Sequence, residues 1–145
     1  MDKAEVRPEK IVASGLQCIR RIKDNGDFYY FIKNPAKEAF DGWITLNVDY
    51  RSAALYNPMS GVAGYAKVKE DGGKHEIYIQ MKPDESLVIE TFQGKANGEF
   101  YPYYEENGDP VGVMGDWTLT FVKGGPELPA SKTVRQLESW TTCGP

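Results

Sequence analysis

The sequence predicts an all-β chain folded as an antiparallel β-sandwich, a two-sheet architecture of the jelly-roll or immunoglobulin-like kind. Three observations lead there. Short stretches of alternating apolar and polar residues recur at short intervals, and each is closed by Gly, Pro, Asn or Asp turn chemistry. Almost nothing before residue 95 keeps a 3.6-residue period for longer than two turns. Nine Tyr, six Phe, three Trp, 15 Gly and 9 Pro favour strands and turns over helices.

Seven strands are expected before residue 95. Leu16 to Lys23 runs into Asp24-Asn25-Gly26-Asp27, and Asn-Gly is a strong hairpin signal because both residues tolerate positive φ. Phe28 to Lys33 should pair back antiparallel. It carries Phe28, Tyr30 and Ile32 on one face and Tyr29 and Phe31 on the other, which predicts a central strand packed on both sides. Gly42 to Val48 alternates, with Ile44, Leu46 and Val48 inward and Trp43, Thr45 and Asn47 outward. Ser52 to Tyr56 is closed by Asn57-Pro58-Met59-Ser60-Gly61. Val62 to Glu70 reads as one strand with Tyr65, Lys67 and Lys69 on its wet face, and Asp71-Gly72-Gly73 reverses it into His75 to Met81. The Lys82-Pro83-Asp84-Glu85 turn leads to a last strand, Ser86 to Phe92. Gln93 to Gly98 reads as a linker or exposed loop. An aromatic cluster, Phe100 to Tyr104, and an acidic turn, Glu105 to Pro110, follow before a fresh strand, Trp117 to Val122.

A chain of 145 residues accommodates one domain with a sizeable core, or one domain and part of another. The net charge of -4, with 17 Lys and Arg scattered along the chain, provides no broad positive field for nucleic acid or anionic lipid. No run is apolar enough for a membrane span, and MDKAEVRPEK lacks the apolar segment of a signal peptide, so the chain as given is expected to stay in the cytoplasm. Cys18 and Cys143 are far apart, with no metal-ligand spacing around them; one disulfide between them is geometrically allowed, and two reduced thiols are the simpler expectation.

No catalytic constellation, metal site or cofactor is predicted. Glu105, Glu106 and Asp109 sit in a Gly/Pro turn where solvated acids are routine, and Asp24 and Asp27 flank a turn that Asx side chains cap. His75 is the sole histidine and has no nucleophile motif to serve. Gly72-Gly73 lacks the spacing of a phosphate loop. Aromatic residues in wet positions have a binding character: Trp43, Tyr65 and Tyr78 on outward strand positions, and Tyr101, Tyr103 and Tyr104 in a loop. Flat rings receive the C–H faces of sugars while polar neighbours meet their hydroxyls. The simpler expectation is that the same residues pack on one another or on a neighbouring domain.

Four stretches, CIRRIKDNGDFYYFIKN, SAALYNPMSGVAG, IQMKPDESLVIETF and GDWTLTFVKGGPELPASKTVRQLESWT, occur in an order that resembles large bacterial α-L-rhamnosidase-type glycoside hydrolases of family 106. They match the segment after the catalytic barrel, and the last is also similar to the entry into the sugar-binding-like sandwich of family 2 glycosidases. The resemblance spans residues 17 to 141. It implies that the catalytic carboxylates belong to a barrel upstream, so none is carried over here. It implies a non-catalytic accessory sandwich over residues 1–97, and over 98–145 a connector with the first strand of a following sandwich, alone or packed with the first as one body. The chain would then be an expressed fragment or a stand-alone relative. Its partner would be the barrel, its parent enzyme would be exported to the periplasm or beyond, and unfilled strand edges would favour homodimers. A carbohydrate-binding module and a small independent glycosidase are the alternatives.

Overall fold

The computed structural model describes residues 8–139 and residue 141, and Trp140 and Cys143 lie outside that range. The chain divides into two compact units at Glu105/Glu106. The first is all-β. After a 3₁₀ turn, Lys10–Ser14, come β1 Gln17–Ile22, β2 Phe28–Lys33, β3 Phe40–Thr45, β4 Ser52–Tyr56, β5 Ala63–Tyr65, β6 Val68–Asp71, β7 Lys74–Met81 and β8 Ser86–Phe92. They form a five-stranded sheet, β1-β2-β8-β4-β5, and a three-stranded sheet, β3-β7-β6, with every strand pair antiparallel.

The two sheets close on one core, as a β-sandwich requires. Tyr30, Ile32, Leu55, Leu87 and Ile89 come from the larger sheet, Ile44, Ile77, Ile79 and Met81 from the smaller, and Ile11 and Leu16 plug one end. Each buried Leu, Ile or Met stabilises the fold by about 1.5–3 kcal/mol relative to an exposed one. Strand alternation therefore sets the register, since a one-residue slip of β7 would turn Ile77, Ile79 and Met81 out into water.

Three sequence expectations change. Val62 to Glu70 is two strands, not one: the chain leaves the larger sheet after Tyr65 and enters the smaller at Val68, with Ala66 N–H donating to the Ala53 carbonyl at 2.8 Å across the switch. The pattern of alternation survives the crossing, which is why it read as continuous. Next, β2 is buried on one face only. Tyr30 and Ile32 are inside, but Phe31 on the outer face is 43% exposed. Finally, at the β1–β2 turn only Gly26 takes positive φ, at 86°. Asn25 instead turns its side chain inward, donating to Asp27 Oδ2 at 2.8 Å and accepting from the Asp27 N–H at 3.1 Å. The β6–β7 turn does use two positive-φ residues, Gly72 and Gly73, which suits a two-residue hairpin loop.

β7 and β8 are joined by the Lys82–Glu85 corner, which passes from one sheet to the other. Asp84 sits there at φ 59°. Glu85 caps the corner, its Oε2 accepting from Lys82 N–H at 2.7 Å and its Oε1 from Asn57 Nδ2 at 2.7 Å. Asn34, 2% exposed, locks it from the other side by donating to the Lys82 and Glu38 carbonyls at 3.1 and 2.8 Å.

The second unit contains a short antiparallel hairpin, β9 Trp117–Leu119 with β10 Lys132–Val134, so the expected fresh strand acquires a partner. None of its described residues is buried, and Trp117, Leu119 and Val134 are only half-covered. A lone two-stranded hairpin of this kind is marginal in water.

Asn34→Ala should lower the unfolding free energy of the first unit by about 1–3 kcal/mol, because the half-covered Lys82 and Glu38 carbonyls lose the buried amide that donates to them. Urea denaturation followed by circular dichroism measures it, and a loss under 1 kcal/mol would count against this role for Asn34.

Candidate functional site

Register alone assembles the outer face of the three-stranded sheet. Trp43 lies opposite Tyr78, Asp41 opposite Gln80 and Thr45 opposite Glu76, and all six side chains share the face turned from the core. Lys69 on β6 lies opposite Glu76. Residues 98–104 form a strap that docks where β6 leaves the edge of β7 free. Tyr103 OH donates to the Tyr78 carbonyl at 2.9 Å and accepts from Lys67 N–H at 3.0 Å. Gln80 holds the backbone of Tyr104 at both ends, donating to its carbonyl and accepting from its N–H, each at 2.8 Å.

The result is a row of four rings. Trp43 and Tyr78 stand 5.3 Å apart between centroids, Tyr78 and Tyr103 5.0 Å, and Tyr103 and Tyr101 5.6 Å. The row runs from solvent into the core: Trp43 is 38% exposed, while Tyr101 is 8% exposed and part of the main core. Tilted aromatic pairs add about 0.5–1.5 kcal/mol each beyond their burial. Cations lie over the rings, with Lys69 Nζ 4.4 Å from the Trp43 centroid, Lys67 Nζ 4.9 Å from that of Tyr103 and Lys82 Nζ 5.6 Å from that of Tyr104. Such contacts are worth about 0.5–1 kcal/mol at exposed sites, so a ligand can displace them.

Polar groups frame the rings. Tyr78 OH donates to Asp41 Oδ1 in a short hydrogen bond, and Gln80 Nε2 donates to Asp41 Oδ2 at 3.0 Å. The bond to Asp41, with burial second, pushes the Tyr78 phenol up from its ordinary range and keeps it a proton donor. Burial does the same to Tyr101 and Tyr103. Glu76 accepts from Thr45 Oγ1 at 3.3 Å and pairs with Lys69 at 3.1 Å. Flat apolar surface beside a carboxylate, an amide and hydroxyls matches the chemistry of a sugar ring.

Of the residues expected to bind, Trp43, Tyr78, Tyr101, Tyr103 and Tyr104 come together. Tyr101 and Tyr103 are fastenings of the strap; Trp43 and Tyr104, 75% exposed, offer open surface. Tyr65 stands apart on the outer face of the larger sheet, its ring 6.2 Å from that of Phe92. It pins the start of the strap, donating its N–H to the Glu99 carbonyl at 2.8 Å and accepting from Tyr101 N–H at 2.9 Å. Asp41, Gln80 and Lys82 were missed because only the β3–β7 register and the strap bring them to the rings. Among the described residues no set of three His, Cys, Asp or Glu side chains could hold a metal ion. Cys18 is a free thiol pushed up by burial, and then by Glu9.

A second polar centre lies on the outer face of the larger sheet. Glu90 in the middle of β8 is 7% exposed although it points away from the core. It forms a short ion pair with Lys23 and accepts from Tyr56 OH at 2.6 Å. Burial alone would raise its pKa, but the bonds from Lys23, Tyr56 and Tyr29 outweigh it and hold the carboxyl below its ordinary range.

No protein-family model, curated protein or solved structure matches the chain.

Two outcomes are expected here. Because the folded state lowers the Glu90 pKa, its contribution to stability is complete above the ordinary carboxylate range and is lost as pH falls through the folded value. Melting temperatures recorded on the acid side should therefore fall less steeply with pH for Glu90→Gln than for the parent; parallel slopes would assign the acid sensitivity elsewhere. In Gly64→Ala, the new Cβ would meet Tyr101 N at 2.5 Å, a backbone clash that only displacement of the strap relieves. Limited proteolysis should then cut within residues 98–105 at least about tenfold faster, as expected for an opening made easier by some 1.4 kcal/mol.

Proposed function

We propose that this chain is a non-catalytic accessory β-sandwich of a polysaccharide-degrading glycoside hydrolase of the family 106 type, and that it contacts carbohydrate through the outer face of β3-β7-β6. The resemblance of the four sequence stretches supplies the enzymatic context. One observation carries the binding role: the part-exposed Trp43 ring, covered by Lys69, lies beside the Tyr78–Asp41–Gln80 hydrogen-bonded group. A sugar would stack on Trp43 after Lys69 swings aside, with its hydroxyls met by Asp41, Gln80 and Thr45. The rigid sandwich beneath would hold that surface in a fixed relation to a catalytic barrel.

Titration with rhamnose-containing oligosaccharides should change tryptophan fluorescence with half-saturation at about 1 mM, equivalent to about 4 kcal/mol of binding free energy. Trp43→Ala should abolish the change without altering the fold. A flat titration to about 20 mM, some twentyfold past that midpoint, would remove the sugar role and leave the face as a contact for the barrel.

A further inference from the structure

At one end of the sandwich lies a recess of about 530 Å³ that the aromatic face does not use. Lys10 from the 3₁₀ turn, Arg20 from β1, Asn47 and Asp49 from the β3–β4 connection, and Lys74 and His75 from the start of β7 line it. Its wall is organised around Glu9. One carboxylate oxygen of Glu9 accepts from Arg20 at 2.5 Å and from Tyr30 OH at 3.3 Å, and the other accepts from Asn47 N–H at 3.0 Å. Tyr50 fixes the opposite side, donating to the His75 carbonyl at 2.6 Å with its ring 5.7 Å from the imidazole. The Gly72-Gly73 turn then presents Lys74 at the rim.

Charge decides what the recess suits. Arg20 is matched by Glu9, while among the described residues neither Lys10 nor Lys74 has an ion-pair partner. Lys10 and Lys74 thus line a recess in which Asp49 is the one lining carboxylate, with Asp71 opposite Lys74 in the β6–β7 register. That balance favours a guest bearing a single negative charge, which fits a carboxylate better than a dianionic phosphate. We infer that the recess is an anion subsite for the carboxylate of an acidic sugar residue, with Lys10 and Lys74 as the charged contacts and His75 as a neighbouring hydrogen-bond group. Its sugar part rests on the carbohydrate role proposed above. Asn47 follows Trp43 by four residues, at most about 13 Å of chain, so one oligosaccharide can reach both places.

The sole histidine provides a reporter confined to the recess. Its imidazole C–H signals are followed by NMR at constant pH while a uronic-acid disaccharide, its neutral methyl ester and inorganic sulfate are added in turn. The free acid should shift His75 saturably, and the ester should bind roughly tenfold more weakly. The double variant Lys10→Ala/Lys74→Ala, checked for an unchanged melting temperature, should weaken the acid by a similar factor and leave the Trp43 fluorescence response to neutral oligosaccharides intact. Equal binding of acid and ester, an unaffected double variant, or sulfate as effective as the disaccharide would each overturn the subsite. A silent Trp43 together with a normal His75 response to the acid would instead remove the aromatic platform and keep the recess.

Discussion

The first unit hangs on the corner where β7 passes into β8. These are the central strands of their sheets, and their inward residues, Ile77, Ile79 and Met81 on one side and Leu87 and Ile89 on the other, form the middle of the core. A four-residue turn must carry the backbone across the sandwich within that short distance, and its carbonyls and N–H groups leave both ladders at once. Asn34 and Glu85 are the groups that satisfy them. Because Asn34 is buried, leaving its amide unpaired would cost more than a typical hydrogen bond returns, so this corner constrains the fold about as tightly as a core side chain does.

The two outer faces are spent differently. On the larger sheet, Glu90, Lys23, Tyr29 and Tyr56 turn inward on one another, and the buried carboxylate is already matched. An ion pair so covered contributes little net stability against an apolar alternative, yet removing one partner is costly, so it fixes which strands lie side by side. On the smaller sheet, Asp41 is exposed and Gln80 half-buried, and the cations above the rings are held by contacts of small energy. This second face can exchange its present contacts for a ligand's at little cost, and that asymmetry is why the binding role is proposed there.

Local chemistry made most strands legible. Phe28 to Lys33, Ser52 to Tyr56 and Ser86 to Phe92 could be read to the residue, since each is a short β-rich run between turn formers. The Val62 to Glu70 run could not be divided correctly, because alternation records only inside against outside, and Ala66 is inside before and after the change of sheet. Similarly, the wet positions of Trp43 and Tyr78 follow from period two, but their meeting depends on a pairing between residues 35 apart in the chain. Phe100 to Tyr104 looked like a loop because nothing local reveals that Gly64 and Gly98 lack the side chains that would bar Tyr101 and Tyr65 from closing over them.

That closure sets where the first unit ends. The compact unit runs to Glu105 because the strap does three things at once. It bridges β5 through Tyr65, places Tyr101 in the core, and presents Tyr103 and Tyr104 to the outer face of β7. A chain cut at 97 would lose a core residue and half of the ring row together. The candidate surface is therefore not an ornament on a finished sandwich. Its geometry is produced by the unit's C-terminal segment, and whatever loosens the strap should loosen the surface with it.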